Sequence, residues 1–202
     1  MRCELISWHR VYRLAERLAL AIRDSGYRPE VIVAIARGGY VPARILCDFL
    51  GVYALTSIRV VHYAGGARKQ PVAQVTDRLC TDITGKRILI VDDVSDTGDT
   101  YKAAIEHLAA FRPKAIRTAV LLHKITASYQ PDFISRRVIK WRWMIYPWAI
   151  VEDVTGFIER MAPPPRGEAA IRRRLQADYG LQLPAATLRL VLRLLESGSG
   201  DA

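Results

Sequence analysis

Seven residues between positions 92 and 100 combine chemistry with tight spacing: Asp92, Asp93, Asp96, Thr97, Gly98, Asp99 and Thr100. Thr97, Gly98 and Thr100 stand where a helix is expected to begin. Their hydroxyls and closely spaced backbone N–H groups, added to the helix dipole, make a cradle for one phosphate. Asp92 and Asp93 cannot face that phosphate without repulsion. Their chemistry is to accept hydrogen bonds from sugar hydroxyls or to hold a divalent cation. A ligand with a phosphate at one end, a diol in the middle and a metal-bound group beyond is a phosphorylated ribose. A plain strand-to-helix turn would use an aspartate as a cap. Three carboxylates in five positions against an apolar strand cost too much for that role alone.

Three further places offer complementary groups. Arg37-Gly38-Gly39 follows the apolar run Val31 to Ala36, and a cation followed by two glycines lets backbone N–H groups approach an anion closely. Lys124 ends the apolar run Ala115 to Leu122, where its ammonium can donate to a carbonyl oxygen of a planar base. In Lys140 to Trp148, strand alternation puts Trp141 and Trp143 on one face, and a tryptophan can stack on a purine. Trp148 is expected in the core.

The run Val91-Asp92-Asp93-Val94-Ser95-Asp96-Thr97-Gly98-Asp99-Thr100 resembles the phosphoribosyl-diphosphate (PRPP) signature of the type I phosphoribosyltransferases at nearly every position. The resemblance implies that Asp92 and Asp93 hold the ribose hydroxyls, with Asp93 the contact to Mg2+, and that Thr97, Gly98, Asp99 and Thr100 bind the 5-phosphate. It assigns Arg37 and Gly38 to the pyrophosphate and makes Asp96 the group that accepts or relays a proton at N7 of a purine. In the 6-oxopurine branch, a lysine placed as Lys124 recognises the exocyclic oxygen. The stretch from Lys124 to Pro147-Trp148 resembles the bacterial xanthine-guanine enzymes, with Trp143 stacking on the base and the Met144 backbone at its edge. One position departs: those enzymes carry an aspartate after the Pro-Trp pair, where this chain has Ala149, and Glu152 and Asp153 are the nearby acids.

The function implied is transfer of ribose 5-phosphate from PRPP to a purine, giving a nucleoside monophosphate and pyrophosphate in purine salvage. A 6-oxopurine is favoured over adenine. A different class, a PRPP-sensing regulator that binds nucleic acid, is suggested by the positive charge and opposed by the intact acidic loop and base pocket. Enzymes of this type commonly form homo-oligomers, dimers or tetramers.

These groups need a scaffold. The consecutive, mostly β-branched residues Ile88 to Val91 read as a central parallel strand buried on both faces. Ligands in such folds sit beyond the carboxyl ends of the strands. The expected fold class is therefore α/β, an open and mostly parallel sheet flanked by helices, with a small C-terminal helical extension. A helix is predicted from Trp8 to about Ser25, with Val11, Leu14, Leu18 and Ile22 on one stripe and Gly26 as its stop. Residues 1–161 form the expected phosphoribosyltransferase domain. Within it, 64–84 lacks an apolar period and is expected to be a lid or an irregular hairpin, with Tyr63, Arg68 and Lys69 as contacts on closure. Residues 162–167 read as a stiff Pro-rich linker and 168–202 as two amphipathic helices and a disordered tail from Ser197. Leu188, Val191, Leu192 and Leu195 form a face that must be buried.

At 202 residues, 50% of them hydrophobic, the chain can bury one good core. No apolar run matches a bilayer and the first residues lack a signal-peptide core, so a cytoplasmic enzyme is expected. Cys3, Cys47 and Cys80 show no ligand spacing with the histidines, which argues against zinc or a disulfide framework. The net charge of +10 fits a polyphosphorylated substrate or nucleic acid. For Arg172-Arg173-Arg174, a solvated helix face is favoured over a nucleic-acid contact.

Overall fold

The computed structural model describes residues 1–63 and 72–198. Arg68, Lys69 and the Tyr63 side chain, expected on the lid, lie outside the described residues, as does the end of the tail. In chain order the elements are β1 (Cys3–Leu5), α1 (Trp8–Asp24), β2 (Val31–Ala36), α2 (Tyr40–Leu50), β3 (Leu55–Tyr63), β4 (Val72–Asp77), β5 (Arg87–Ser95), α3 (Asp99–Ala109), β6 (Ala115–Lys124), β7 (Phe133–Val138), β8 (Trp143–Ile145), α4 (Ile150–Glu159), α5 (Glu168–Arg174), a π-helical turn (Leu175–Tyr179) and α6 (Ala185–Gly198). They fall into two compact units, one of His9–Lys140 and one of Met1–Trp8 with Trp141–Ala202.

The larger unit is built on the predicted central strand. β5 pairs in parallel with β2 on one side and β6 on the other, and the described sheet runs β4-β3-β2-β5-β6-β7 with only β4 antiparallel. Ile88, Leu89, Ile90 and Val91 are all fully buried, as the uninterrupted apolar run requires of a strand covered on both faces. Ile88 and Ile90 pack with Val31, Val33, Ile35 and Val120 against Tyr101, Ala104 and Leu108 of α3. The predicted stripe of α1 is buried, with Ala15 and Ala19 widening it. Over 64–84, expected to be a lid or an irregular hairpin, the described residues 72–84 are structured. β4 makes a hairpin with β3, and beyond it Leu79 and Ile83 join the core. Two apolar side chains with a core within reach anchor that stretch.

In the smaller unit β1 and β8 pair in parallel, Glu4 opposite Met144. The strand begins only at Trp143, so the alternation expected to align Trp141 with Trp143 does not apply. Trp148, expected in the core, is half-buried and stacks on Tyr146 at 4.6 Å. Ile145, Val154, Phe157, Ile171, Leu175, Leu188 and Val191 share one apolar cluster, with Leu192 and Leu195 packed against it. The C-terminal helices therefore cover their face on residues 141–161 of their own chain. Among the described residues no helix is long and apolar enough to cross a membrane.

Candidate active site

A cavity of about 380 Å³ opens at the carboxyl ends of β2 and β5. Gly38, Asp92, Asp93, Asp96, Thr97, Gly98 and Thr100 all line it, together with apolar walls that include Ile35 and Val60. The sheet order explains this convergence. β2 and β5 are parallel neighbours, so the loops that leave them emerge side by side.

The two loops touch through a glycine. A Cβ placed on Gly38 would lie 2.5 Å from an oxygen of the Asp93 carboxylate. Gly38 thus leaves the space that Asp93 occupies, bringing the predicted pyrophosphate loop against the predicted metal ligand. The peptide between Ala36 and Arg37 at the head of this loop is cis. Arg37 itself is exposed and is not among the residues that line the cavity.

Asp92 and Asp93 are both buried, at 8% and 9% exposure, and the Asp93 N–H donates to Asp92 Oδ1 at 2.9 Å. Burial, and next the charge of Asp93, hold the Asp92 carboxyl well above the usual carboxylate range. Two buried acids side by side are a place for a cation or for hydroxyl donors. Among the described residues no group of three or more metal-ligating side chains occurs. Magnesium takes one or two carboxylates and completes its shell with water and substrate phosphates, a demand that the donor set of Asp92 and Asp93 fits.

Gly98 is the N-cap of α3 with φ 91°, and a Cβ there would meet Tyr129 at 2.7 Å, so both backbone and space demand glycine. The Asp99 N–H donates to Thr97 Oγ1 at 3.3 Å, while the Asp99 carboxylate pairs with Lys102 at 3.5 Å. Asp99 is not among the cavity residues and serves the first turn of α3.

Asp96 and Lys124, from the ends of β5 and β6, form an ion pair at 2.9 Å. The Lys124 side chain is 4% exposed and that of Asp96 is 42% exposed. Lys124 does not itself line the cavity; its ammonium meets the carboxylate that does.

Trp143 and Met144 belong to the other compact unit. The Trp143 indole is 38% exposed, and its N–H donates to Asp153 at 3.0 Å. Met144 is buried, and its backbone lies in β8 opposite Glu4. Ala149 is the N-cap of α4, and Asp153 follows one helical turn later, its N–H donating to the Ala149 carbonyl. Of the two candidate acids, Asp153 is thus the one joined to Trp143. Burial pushes the Asp153 carboxyl up, and the indole bond works against that shift.

Three residues escape notice in the sequence. Ser95 lines the cavity with its hydroxyl buried and without a protein partner among the described residues. Tyr101 lines the cavity, donating to the Ala119 carbonyl at 2.8 Å and stacking on Tyr129. Ser128 donates through both N–H and hydroxyl to the Thr97 carbonyl, at 2.7 and 2.8 Å. Only the Ser95 hydroxyl, inside the acidic run, left a local signal.

Residues 3–153 match the phosphoribosyl transferase domain family. A xanthine-guanine phosphoribosyltransferase of Gluconobacter oxydans is 32% identical over 71% of this chain and 82% of its own length. The hypoxanthine-guanine phosphoribosyltransferase of Saccharomyces cerevisiae is 26% identical over 79% of this chain and 90% of its own. The crystal structure of a purine phosphoribosyltransferase from Pyrococcus horikoshii superposes with a TM-score of 0.64 at 34% identity, covering 73% of this chain and 94% of that one. The match spans every loop that lines the cavity, the acidic run among them: the chain belongs to the phosphoribosyl transferase domain family and is an enzyme of the phosphoribosyltransferase class.

Proposed function

We propose that the enzyme transfers the ribose 5-phosphate of PRPP to a ring nitrogen of a 6-oxopurine, releasing pyrophosphate and a nucleoside monophosphate in purine salvage in the cytoplasm. The observation that carries the choice of base is the Lys124–Asp96 pair at 2.9 Å. A donor and an acceptor side by side complement the edge of a 6-oxopurine, where the exocyclic oxygen accepts and a protonated N7 donates. Adenine presents an amino group there, a second donor against the Lys124 ammonium. The names of the relatives, xanthine-guanine and hypoxanthine-guanine enzymes, point the same way.

The residues take the following parts. Thr97, Gly98 and Thr100 hold the 5-phosphate at the start of α3. Asp92 and Asp93 accept from the ribose hydroxyls, and Asp93, with Asp92 beside it, would hold magnesium. The cation, when bound, supplies charge that neutralises the diphosphate. As the bond from the anomeric carbon to pyrophosphate lengthens, positive charge grows on the ribose and negative charge on the leaving group. Arg37 and the backbone N–H groups of the Gly38 loop stabilise the leaving group. Asp96 takes the proton from N7 as the new bond forms. The resemblance to the xanthine-guanine enzymes assigns Trp143, its indole N–H held by Asp153, to stacking on the base and the Met144 backbone to the base edge.

Regulation through nucleic acid is less well supported. Arg172 and Arg174 of the basic run are tied to Glu168 and Asp178 at 2.9 Å each, as expected of a solvated helix face. A homo-oligomer, a dimer or tetramer, is what the resemblance to the family implies. The test is pyrophosphate release from PRPP and magnesium with hypoxanthine, guanine, xanthine and adenine in turn. Turnover of one or more 6-oxopurines well above adenine is expected. A preference for adenine would overturn the assignment of the base.

A further inference from the structure

A phosphate cradle made of peptide N–H groups works only if each peptide faces the right way, and a glycine makes the peptide before it easy to turn over. The Thr97–Gly98 peptide is such a case. Gly98 sits at φ 91°, and reversing the peptide would aim a carbonyl oxygen where an N–H is needed. Some group must hold the Thr97 carbonyl.

The connection from β6 to β7 supplies it. After Lys124 the chain closes a tight turn, the Ala127 N–H donating to the Lys124 carbonyl at 3.0 Å, and this delivers Ser128 to the back of the acidic loop. The Ser128 N–H and hydroxyl both donate to the Thr97 carbonyl, at 2.7 and 2.8 Å. Lys102 of α3 donates to the same hydroxyl oxygen at 2.8 Å, which leaves the hydroxyl proton directed at Thr97. The connection is itself pinned. Tyr129 stacks on Tyr101 and its hydroxyl meets Thr118 Oγ1 at 3.1 Å, while the Asp132 N–H donates to Thr118 Oγ1 at 3.0 Å and Asp132 accepts from the Thr118 N–H at 2.8 Å. The far end of the Ser128 bond is therefore fixed to β6.

In a planar trans peptide the N–H points opposite to the C=O. Holding the Thr97 carbonyl on Ser128 turns the Gly98 N–H away from the β6–β7 connection. We infer that Ser128 is a positioning residue for the phosphate end of the substrate: it acts through the Thr97 carbonyl to keep the Gly98 N–H oriented for the 5-phosphate of PRPP. This rests on the reading of Thr97 to Thr100 as the phosphate cradle and is independent of which base is used.

The test compares ligands that carry the 5-phosphate with one that does not. By calorimetry with magnesium present, Ser128→Ala should weaken PRPP and ribose 5-phosphate by about three- to tenfold, the effect of one neutral hydrogen bond. Pyrophosphate affinity should be unchanged, and Ser128→Thr, which keeps the hydroxyl, should restore the wild-type values. In turnover the KM for PRPP should rise while kcat stays within about twofold, since the reacting atoms are untouched. Unchanged PRPP affinity in Ser128→Ala, or an equal loss for pyrophosphate, would overturn the inference while leaving the proposed reaction standing. A selective loss for the 5-phosphate ligands in an enzyme that turns over no purine would support Ser128 and remove the purine instead.

Discussion

Replacing Asp96 by asparagine separates chemistry from binding. Asp96 faces the cavity with a side chain 42% exposed and stands 2.9 Å from the Lys124 ammonium, which is almost wholly buried. Asparagine keeps the size and one accepting oxygen, so Lys124 retains a hydrogen-bond partner, but the negative charge and the capacity to take a proton are lost. A positioned base contributes on the order of a hundred- to ten-thousandfold in rate, and kcat should fall within that range. The stability change is expected to be small. The carboxylate is more than a third exposed and screened by water, so the lost charge pairing counts for about 1 kcal/mol, or roughly 2–4 °C in Tm for a chain of this size. PRPP affinity, measured by calorimetry with magnesium, should stay within about twofold, because Asp96 touches neither the phosphate cradle nor the ribose acids in this account. Steady-state turnover with the preferred base then reads the chemical step. A kcat within a few-fold of wild type would remove Asp96 from proton transfer. An equal loss of PRPP affinity would mean that its part is structural.

Other perturbations have distinct signatures. Because burial and Asp93 raise the folded-state pKa of Asp92, the folded chain binds that proton more tightly than the unfolded one, and stability falls as pH rises through the window between the two values. Asp92→Asn should therefore raise Tm at neutral pH while abolishing PRPP binding in calorimetry; an unchanged or lower Tm would contradict the burial argument. His107 Nε2 accepts from the Leu79 N–H at 3.3 Å and so must be unprotonated, and burial with Arg78 nearby lowers its pKa below the ordinary 6.5. The unfolded chain takes up that proton first, so this contribution is present above about pH 6.5 and is lost as pH falls through the depressed folded value. Hydrogen exchange at Leu79, corrected for intrinsic rate, should speed up over that acidic window in wild type, and a pH-independent protection would refute it. Asp153→Ala frees the Trp143 indole and should raise the KM for the base by about three- to tenfold with the KM for PRPP unchanged, and Trp143→Phe should add little to it; full additivity of the two would deny the coupling.

Much of the site could be read from the sequence because it is local. Asp92 to Thr100 lie in one loop whose strand is announced by four apolar residues, and the convergence of Gly38 with them follows from two such strands being parallel neighbours. What stayed hidden depends on partners far along the chain. Asp96 and Lys124 are 28 residues apart and meet only because β5 and β6 pair in register, Ser95 opposite His123. Ser128 sits in a short polar connection with no periodicity, and its role arises from a carbonyl, which carries no side-chain identity. Asp153, one helical turn after Ala149, holds the Trp143 indole N–H, a contact that only the backbone of α4 can reveal. Leu79 and Ile83 fall in the segment without a period, because isolated apolar residues between polar ones give none, yet each joins the core. The C-terminal face was legible as apolar but its cover was not, since Ile145, Val154 and Phe157 belong to elements before the Pro-rich segment.

The central claim is that one acidic loop grips the activated sugar at its hydroxyls and its 5-phosphate together. Titration calorimetry of the chain with PRPP and magnesium, repeated with Asp93→Ala and with Gly98→Ala, tests it most directly. One molecule bound per chain, with association weakened at least tenfold in either variant, is the predicted result. No association in the wild type, or undiminished association in both variants, would contradict it.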